Sequence, residues 1–511
     1  MSHGLQIKCF RAVPRPGTAA ATFLASVRLL LATCTQLGSL GPYSLILASI
    51  KENMHTMFTS TLTEYFNCPL GLKQGCMASP ILFTFFINEL AEMIQTSDVR
   101  GVKLFPDITE ILILMFADDV ALISDTVIGL QRQLDMLYEF CLSSCLKVNV
   151  NKTKIMAFKR GGKLSNSERL YYNGYPLSCV NSFTYVGVTF SRCLSYNKMA
   201  SELATKGKKV LISLLKTLYK GGQMPKSIFF KIFDTKILPI LLYGSEIWGF
   251  EPRESTEIVH RYACKRYMCL YQNSCNAAVL GDCGRLPLWL ESTKRVIKYW
   301  LKILKMPENR YVKKCYLMQR YYDNIGNVNW ASKVKNVLYE NGFGYIWDQQ
   351  CVANENQFIR TFVDRLKDQY LQTWRASLQS SSKLFYYKHY KSYFEHETYL
   401  DCLTIHKFRH SFAQFRTGVH ELEIEIGRYT NTPREERICK LCLNAVEDEL
   451  HFLLECPVYE DIRTKYIPAK YWQRPSIHKF NIVLATKNEN LIKSVASYIF
   501  YAFTIRKSLL E

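Results

Sequence analysis

Two groups of residues in this chain combine types and spacings that could do chemistry. Phe116-Ala117-Asp118-Asp119 sets two adjacent carboxylates between the apolar runs 111–116 and 120–124. Charge placed inside an apolar hairpin is costly unless something positive compensates it, and a divalent cation is the obvious candidate. The competing reading is a solvated Asp-Asp turn with no chemical role. The second group is Cys439-x₂-Cys442-x₈-His451-x₄-Cys456. It offers four soft or borderline ligands over a short stretch, which suits one tetrahedral Zn²⁺. Against it stands a reduced Cys pair with His451 facing a core.

The elements around these groups follow from local patterns. Ser79-Pro80 opens an apolar run over 81–90; Ser can accept a backbone N–H at a helix N-cap, and Pro at the first helical position needs no partner for a donor. A loop therefore leads into a buried helix. Segments 111–116 and 120–124 are apolar on both faces and read as buried strands flanking the acidic turn. Leu130, Leu134, Leu137 and Cys141 recur at helical spacing. Residues 147–158 and 183–190 read as further strands, with turns at Gly161-Gly162 and Asn173-Gly174. Past residue 198 the pattern turns helical: Val210, Leu211, Leu214, Leu215 and Leu218 share one side, with Lys206, Lys208, Lys209, Lys216 and Lys220 largely elsewhere.

Composition narrows the classes. In 511 residues, Lys and Arg number 65 against 44 Asp and Glu, a net charge of +21, which points to a polyanionic partner and first to nucleic acid. Apolar residues at 48% exclude wholesale disorder. The 18 cysteines are too dilute for a secreted disulfide scaffold and fit a reducing compartment. No run is long and apolar enough for a membrane span. The first 51 residues contain no acid but include Lys8, Arg11, Arg15 and Arg28, the composition of an organelle transit peptide or of a foreign exon. Phosphate-loop, HExxH, GxSxG and GxGxxG patterns are missing.

The acidic turn belongs to an ordered series. Gly71-Leu72-Lys73-Gln74-Gly75-Cys76-Met77-Ala78-Ser79-Pro80-Ile81-Leu82-Phe83 precedes it; Leu146-Lys147-Val148-Asn149, then Asn151-Lys152-Thr153-Lys154, and Phe183-Thr184-Tyr185-Val186-Gly187 follow. The series resembles the later palm motifs of reverse transcriptases, specifically those of non-LTR (LINE-type) retrotransposons. Pro239-Ile240-Leu241-Leu242-Tyr243-Gly244-Ser245-Glu246-Ile247-Trp248-Gly249 resembles their thumb-region signature, and Cys439, Cys442, His451 and Cys456 resemble their C-terminal zinc knuckle. The resemblance implies that Asp118 is a Mg²⁺ ligand with Asp119 as its acidic neighbour, and that Gln74 and Gly75 border template and incoming nucleotide. It places Lys152 or Lys154 near the leaving pyrophosphate, with a solvated strand-end charge as the alternative. Tyr185 and Gly187 resemble the turn that grips the primer end, with core packing the alternative for Tyr185.

The chain departs from that family at a point that matters for mechanism. Polymerase chemistry uses two metal ions about 3.5–4 Å apart, and the resembled family clamps them with the Asp-Asp hairpin and an Asp on a strand upstream of the Gln-Gly loop. No Asp occurs before Asp98, and the only acids ahead of that loop are Glu52 and Glu64, both close to it. Asp98, Asp107 and Asp125 follow the loop or flank the hairpin. The basic fingers segment is missing as well, so the expectation is a 5′-truncated element or a truncated gene model, and a chain that does not polymerise as written.

The expected fold is therefore α+β: an unassigned basic segment over 1–43, a partial palm over 44–190 whose basic N-terminal flank matches nothing in it, a thumb-like helical region over 191–250, a helical region over 251–425, a CCHC zinc knuckle over 426–470 and a helical tail over 471–511. Expected partners are an RNA template and a DNA primer or target, with Mg²⁺ and Zn²⁺ as cofactors, no membrane and no small molecule beyond dNTPs. The place is intracellular, nuclear or cytoplasmic, with an organelle as the second choice. By resemblance the function is RNA-directed DNA polymerisation; the alternatives are a non-enzymatic nucleic-acid-binding remnant with a zinc module and an organelle intron-type maturase. In the knuckle, Glu447, Asp448, Glu449 and Glu455 read as an acidic helix, leaving Arg434, Arg437 and Lys440 for phosphate. His260, Cys264, Cys269, Cys275 and Cys283 fit no zinc spacing and read as core or unpaired thiols. The aromatic and basic stretches 294–302 and 386–391 read as half-buried helices, with base stacking as the alternative.

Overall fold

The computed structural model describes residues 6–12, 53–54, 57–58, 61–62, 66–67, 77, 79–104, 109–158, 169–218, 224–271 and 273–511. Gln74, Gly75 and the Gly161-Gly162 turn lie outside them. The chain folds as two compact units, Met1–Met199 with Trp300–Cys351 and Ala200–Tyr299 with Val352–Glu511.

In chain order the first unit contains β1 (Gln6–Ala12), α1 (Ser79–Thr96), β2 (Val102–Leu104), β3 (Thr109–Ile111), β4 (Ile113–Phe116), β5 (Asp119–Ser124), α2 (Val127–Ser143), β6 (Lys154–Phe158), β7 (Tyr171–Tyr172), β8 (Tyr175–Pro176), β9 (Ser178–Cys179), β10 (Ser182–Tyr185) and β11 (Val188–Ser191). The central sheet runs β9-β6-β1-β5-β4. β4 and β5 are antiparallel, while β1 is parallel to both β5 and β6. The acid-free N-terminal segment, expected to match nothing in the palm, thus contributes a central strand over residues 6–12. A β5–β6 pair that did not touch would leave two rows of backbone donors and acceptors unmatched, and β1 bonds to both.

α2 forms where the apolar spacing asks for it. Thr126 caps it by accepting the Gly129 N–H, and Leu130, Leu134, Leu137 and Cys141 are all buried. They pack with Leu90 and Ile94 of α1 and Leu122 of β5 in one core. Burying each such Leu contributes about 1.5–3 kcal/mol. Two strand expectations change. Residues 149–153 form a turn, not a strand, because the Asn149 side chain accepts the Lys152 N–H at 3.1 Å and the Thr153 hydroxyl donates to the Asn149 carbonyl at 2.9 Å; Val148 makes an isolated bridge before it and the strand starts at Lys154. Residues 183–190 fold as the β10–β11 hairpin with Val186 and Gly187 at φ 46° and 76°. The Asn173-Gly174 turn lies where the sequence puts it, with both residues at positive φ between β7 and β8.

The second unit is helical. Its thumb-like signature packs tightly: Gly244 at φ 67° precedes the Ser245–Trp248 helix, the Trp248 indole donates to the Tyr243 carbonyl at 3.1 Å, and the Gly249 carbonyl accepts Ser292 Oγ at 3.1 Å. A Cβ at Gly249 would lie 2.5 Å from the Ser245 carbonyl oxygen and 2.8 Å from Ser292 Cβ, so only glycine permits this approach. Deeper in the unit, Asp282 is fully buried and accepts Tyr387 Oη at 2.7 Å, Tyr399 Oη at 2.9 Å and Arg416 Nε at 3.1 Å. Among the described residues no helix is long and apolar enough to cross a membrane.

Candidate active site and metal centre

The β4–β5 hairpin carries Asp118 and Asp119 at its tip. Phe116 pairs with Asp119 across the ladder, and Ala117 turns the chain at φ 51°. Behind the tip, Val120, Ala121 and Leu122 are fully buried, while Asp118 is exposed and Asp119 half-buried. The apolar flanks suggested charges inside the hairpin; the structure corrects this. The aspartates project beyond the buried strands, so they reach solvent and carry no large burial cost.

A cation at this tip would find only part of a site. The hairpin can present two neighbouring carboxylates to one hard cation. Two-ion chemistry needs a further carboxylate on the adjoining strand, and that strand is β1, whose Gln6 pairs in register with Asp119. Its sequence, Gln-Ile-Lys-Cys-Phe-Arg-Ala, contains no Asp or Glu. Among the described residues, β1 therefore brings no further carboxylate beside the hairpin.

The other sites named from the sequence are scattered. Lys154 begins β6, on the far side of β1 from β5, and its Nζ donates to Ser178 Oγ at 2.7 Å. Two strand spacings are about 9.5 Å, so Lys154 lies away from the hairpin. Lys152 is exposed in the Asn149 turn. Tyr185 is fully buried, which leaves the Val186-Gly187 backbone as the part of that turn open to a ligand.

The Cys/His group does come together. One ligand atom from each of Cys439, Cys442, His451 and Cys456 lies within 4.8 Å of all the others, and among the described residues this is the one such group. A short hairpin, bridged at Ile438 and Val446, carries the Cys pair, with Leu443 at φ 58° turning the chain after Cys442. His451 starts a helical turn over His451–Glu455, and Cys456 ends it. Cys442 Sγ is 3.3 Å from His451 Nε2, while His451 Nδ1 faces Glu455 Oε2 at 3.6 Å, the outer carboxylate that metal-bound histidines commonly have. Zn–S bonds of about 2.3 Å place tetrahedral sulfurs about 3.8 Å apart, so a small contraction would close these ligands on one Zn²⁺. The Cys456 thiol donates to Cys439 and holds that thiol well below the usual thiol range, while the same bond pushes Cys456 up.

Two expectations about this region change, and its packing bears on both. The knuckle has a core of its own: Cys439, Phe452, Leu453 and Cys456 are buried, Phe452 stacks on Phe503 at 4.5 Å, and Tyr498 Oη donates to the Phe452 carbonyl at 2.6 Å. It is not an exposed acidic face. Glu447 is nearly fully buried against Arg506 at 2.7 Å, Asp448 accepts Tyr386 Oη at 2.7 Å, and Glu449 accepts from His420 at 3.2 Å. Finally, the basic residues expected to bind phosphate have internal partners: Arg437 donates to the Thr432 and Ile424 carbonyls, Arg434 pairs with Asp448, and Lys440 pairs with Glu423 at 2.7 Å. Apart from Thr432, those partners lie well beyond one helical turn in sequence, so no local signal revealed them.

His260, Cys264 and Cys283 are fully buried, as core thiols require. Burial alone would lower His260, but Cys264 and Glu257 beside it raise it to about 9; burial alone would raise Cys264, which the Cys283 donor and His260 hold well below the usual thiol range. The aromatic stretch near 386–391 is likewise core, with Tyr386, Tyr387, Tyr390 and Lys391 all buried. Trp300, fully buried, donates to Tyr316 Oη at 2.9 Å, so these rings offer no free stacking face.

Residues 33–190 match the reverse transcriptase (RNA-dependent DNA polymerase) family. Relatives sharpen the class. The chain is 23% identical over 189 residues to the RNA-directed DNA polymerase from mobile element jockey of Drosophila funebris, covering 36% of this chain and 20% of that protein. It is 27% identical over 219 residues to the retrovirus-related Pol polyprotein from type-1 retrotransposable element R2 of Popillia japonica, covering 39% and 34%. A 115 kDa protein in type-1 retrotransposable element R1DM of Drosophila melanogaster is 22% identical over 401 residues, covering 77% and 34%. Residues 33–190 thus carry a reverse transcriptase domain similar to those of non-LTR retrotransposon proteins, and the chain spans between a fifth and about a third of the length of these relatives.

Proposed function

We propose that the chain is the palm, thumb and C-terminal part of a non-LTR retrotransposon RNA-directed DNA polymerase that engages an RNA template and a DNA primer or target but does not polymerise by itself, because the strand beside Asp119 brings no second set of carboxylates. The observation that carries this reading is the Asp118-Asp119 tip at the end of a buried hairpin within the matched family region. In it, Asp118 and Asp119 face a catalytic cation, Gln74 and Gly75 border template and nucleotide, Lys152 or Lys154 meets the pyrophosphate side, and the Tyr185–Gly187 turn meets the primer. A second reading, nucleic-acid binding without polymerisation, is favoured by the acid-free strand beside Asp119. Both readings need nucleic-acid affinity. With a +21 charge, binding to a fluorescent RNA hairpin should weaken roughly a hundredfold or more between 50 and 200 mM salt, since each neutralised phosphate releases condensed counterions. A flat salt response in fluorescence anisotropy would sink both.

Cys439, Cys442, His451 and Cys456 would hold Zn²⁺, which would tie the 438–446 hairpin to the turn at 451–456. Metal analysis of the purified chain should give about one zinc per molecule. Cys439→Ser should lower that content, whereas Cys264→Ser should not. Because the knuckle has its own buried contacts, chelation should raise hydrogen exchange over 438–456 while the Asp282 region stays protected. Zinc loss from Cys264→Ser but not from Cys439→Ser would place the metal elsewhere.

A further inference from the structure

Two histidines at helical spacing, His406 and His410, lie at the start of the His406–Arg416 helix. Residues four apart on a helix share one face, and two imidazoles placed so can reach a single metal ion. Their rings are nearly parallel, 17° apart in plane, with centroids 6.0 Å apart. Two imidazoles on one tetrahedral ion, each bound at about 2.0–2.1 Å, set their ring centres about 5 Å apart, so closure takes a rotation of one ring and an approach of about 1 Å. His406 is exposed and has room for that rotation, while His410 is half-buried and held.

The end of another helix holds His410. The Glu254–Tyr267 helix closes at Cys269, φ 62°, where the Leu270 N–H returns to the Lys265 carbonyl at 2.8 Å and the Cys269 N–H to the Arg266 carbonyl at 3.2 Å. That left-handed step leaves the Cys269 carbonyl 2.6 Å from His410 Nδ1. A carbonyl oxygen only accepts, so Nδ1 carries the hydrogen and, in the neutral ring, Nε2 carries the lone pair. Metal-bound histidines are commonly fixed in this way, by a backbone carbonyl on the nitrogen opposite the metal. Tyr271 packs edge-on against the same ring at 5.4 Å. Tautomer and orientation are therefore both set by the fold.

Charge near the pair also bears on an incoming ion. Burial, the His410 ring and the Arg266 and Arg409 cations hold His406 below the ordinary imidazole value, so near neutral pH its ring is uncharged and able to ligate. The adjoining cations have partners of their own: Arg409 donates to the Leu403 and Leu400 carbonyls at 2.9 and 2.6 Å, and Lys407 Nζ sits 4.7 Å from the centre of the Phe500 ring. Imidazole nitrogens suit borderline ions such as Ni²⁺, Cu²⁺ and Zn²⁺, whereas Mg²⁺ and Ca²⁺ take oxygen ligands. We propose that His406 and Nε2 of His410 bind one borderline divalent transition-metal ion, with its remaining coordination positions left to water or an exogenous donor. The site shares no ligand with the Cys/His knuckle and needs no nucleic acid.

Isothermal titration of Ni²⁺ into the full chain, purified with zinc present, tests it near neutral pH. One equivalent of Ni²⁺ should bind, and excess Mg²⁺ should not displace it. Loss of an outer partner of a metal-bound histidine costs about 10–100-fold in affinity, so His406→Gln and His410→Gln should each weaken this step roughly tenfold or more. His406 is exposed, so its substitution leaves the fold intact; His478→Gln, an exposed histidine on the Ile477–Leu484 helix, should leave the step unchanged. Cu²⁺ in place of Ni²⁺ should show two nitrogen ligands by electron paramagnetic resonance, and one after His406→Gln. Absence of the Ni²⁺ step, or a step that keeps its affinity in His406→Gln, would overturn the site. So would release of zinc in parallel with Ni²⁺ uptake, which would put the Ni²⁺ in the knuckle. Each of these failures leaves the nucleic-acid reading standing, because the titration contains no nucleic acid.

Discussion

Purified chain supplied with a primed RNA template, Mg²⁺ and the four dNTPs should extend no more primer than its Asp118→Ala variant. The physical reason lies in the sheet. Holding two divalent ions about 3.5–4 Å apart, one at the attacking oxygen and one at the leaving oxygen, takes carboxylates from more than one strand. The Asp118-Asp119 tip supplies one set. The strand in register beside Asp119 supplies Gln6 and no acid at any of its seven positions. Neutral and basic residue types do not neutralise a second cation. Each tenfold loss of rate corresponds to about 1.4 kcal/mol of transition-state stabilisation, and removal of a metal ligand in such a site is worth several of these, enough to put extension below detection. Template-dependent products that vanish with Asp118→Ala would show that the tip is catalytically complete.

Asp282→Ala should remove most of the stability of the second unit. Asp282 and Arg416 are both fully buried, and the carboxylate accepts Arg416 Nε at 3.1 Å together with the hydroxyls of Tyr387 and Tyr399. Replacing two charges by apolar groups can be neutral, but deleting one leaves its buried partner short of counter-charge and costs about 3–5 kcal/mol; Arg416 keeps Glu397 Oε2 at 3.1 Å, which sets the expected cost at the lower end of that range. Here two tyrosine hydroxyls lose their acceptor as well. Urea melts followed by far-UV circular dichroism should show a midpoint shift of that size, and Arg416→Met in the Asp282→Ala background should recover part of it. A shift near zero for Asp282→Ala would mean that the network contributes little. The pH dependence follows the same pair. Burial alone would push the Asp282 carboxyl up, but Arg416 and Lys391 hold it below the usual carboxylate range. Its contribution is therefore fully present above about pH 4, the unfolded value, and is lost as pH falls through the depressed folded value. Asp282→Asn should flatten that acid limb.

Much of this was legible in residue order alone. The acidic hairpin, the α2 stripe of Leu130, Leu134 and Leu137, the Asn173-Gly174 turn and the four-ligand Cys/His set are local patterns, in which neighbours a few residues apart dictate geometry. The class of protein was readable for the same reason, since its motifs are short and ordered along the chain. Tertiary structure decided the rest. Whether Asp118 is buried or solvated depends on where the sheet ends, not on its apolar flanks. Which strand fills the gap between β5 and β6 is set by long-range pairing with residues 6–12, a segment whose composition carries no strand signal. Charges gave the least away. Arg437, Lys440 and Glu447 look solvated in sequence, yet their partners Ile424, Glu423 and Arg506 come from other elements of the unit. A lone charge in a sequence has no visible partner, because ion pairs in a packed interior are chosen by distance in space and by the cost of leaving either partner dry and unpaired.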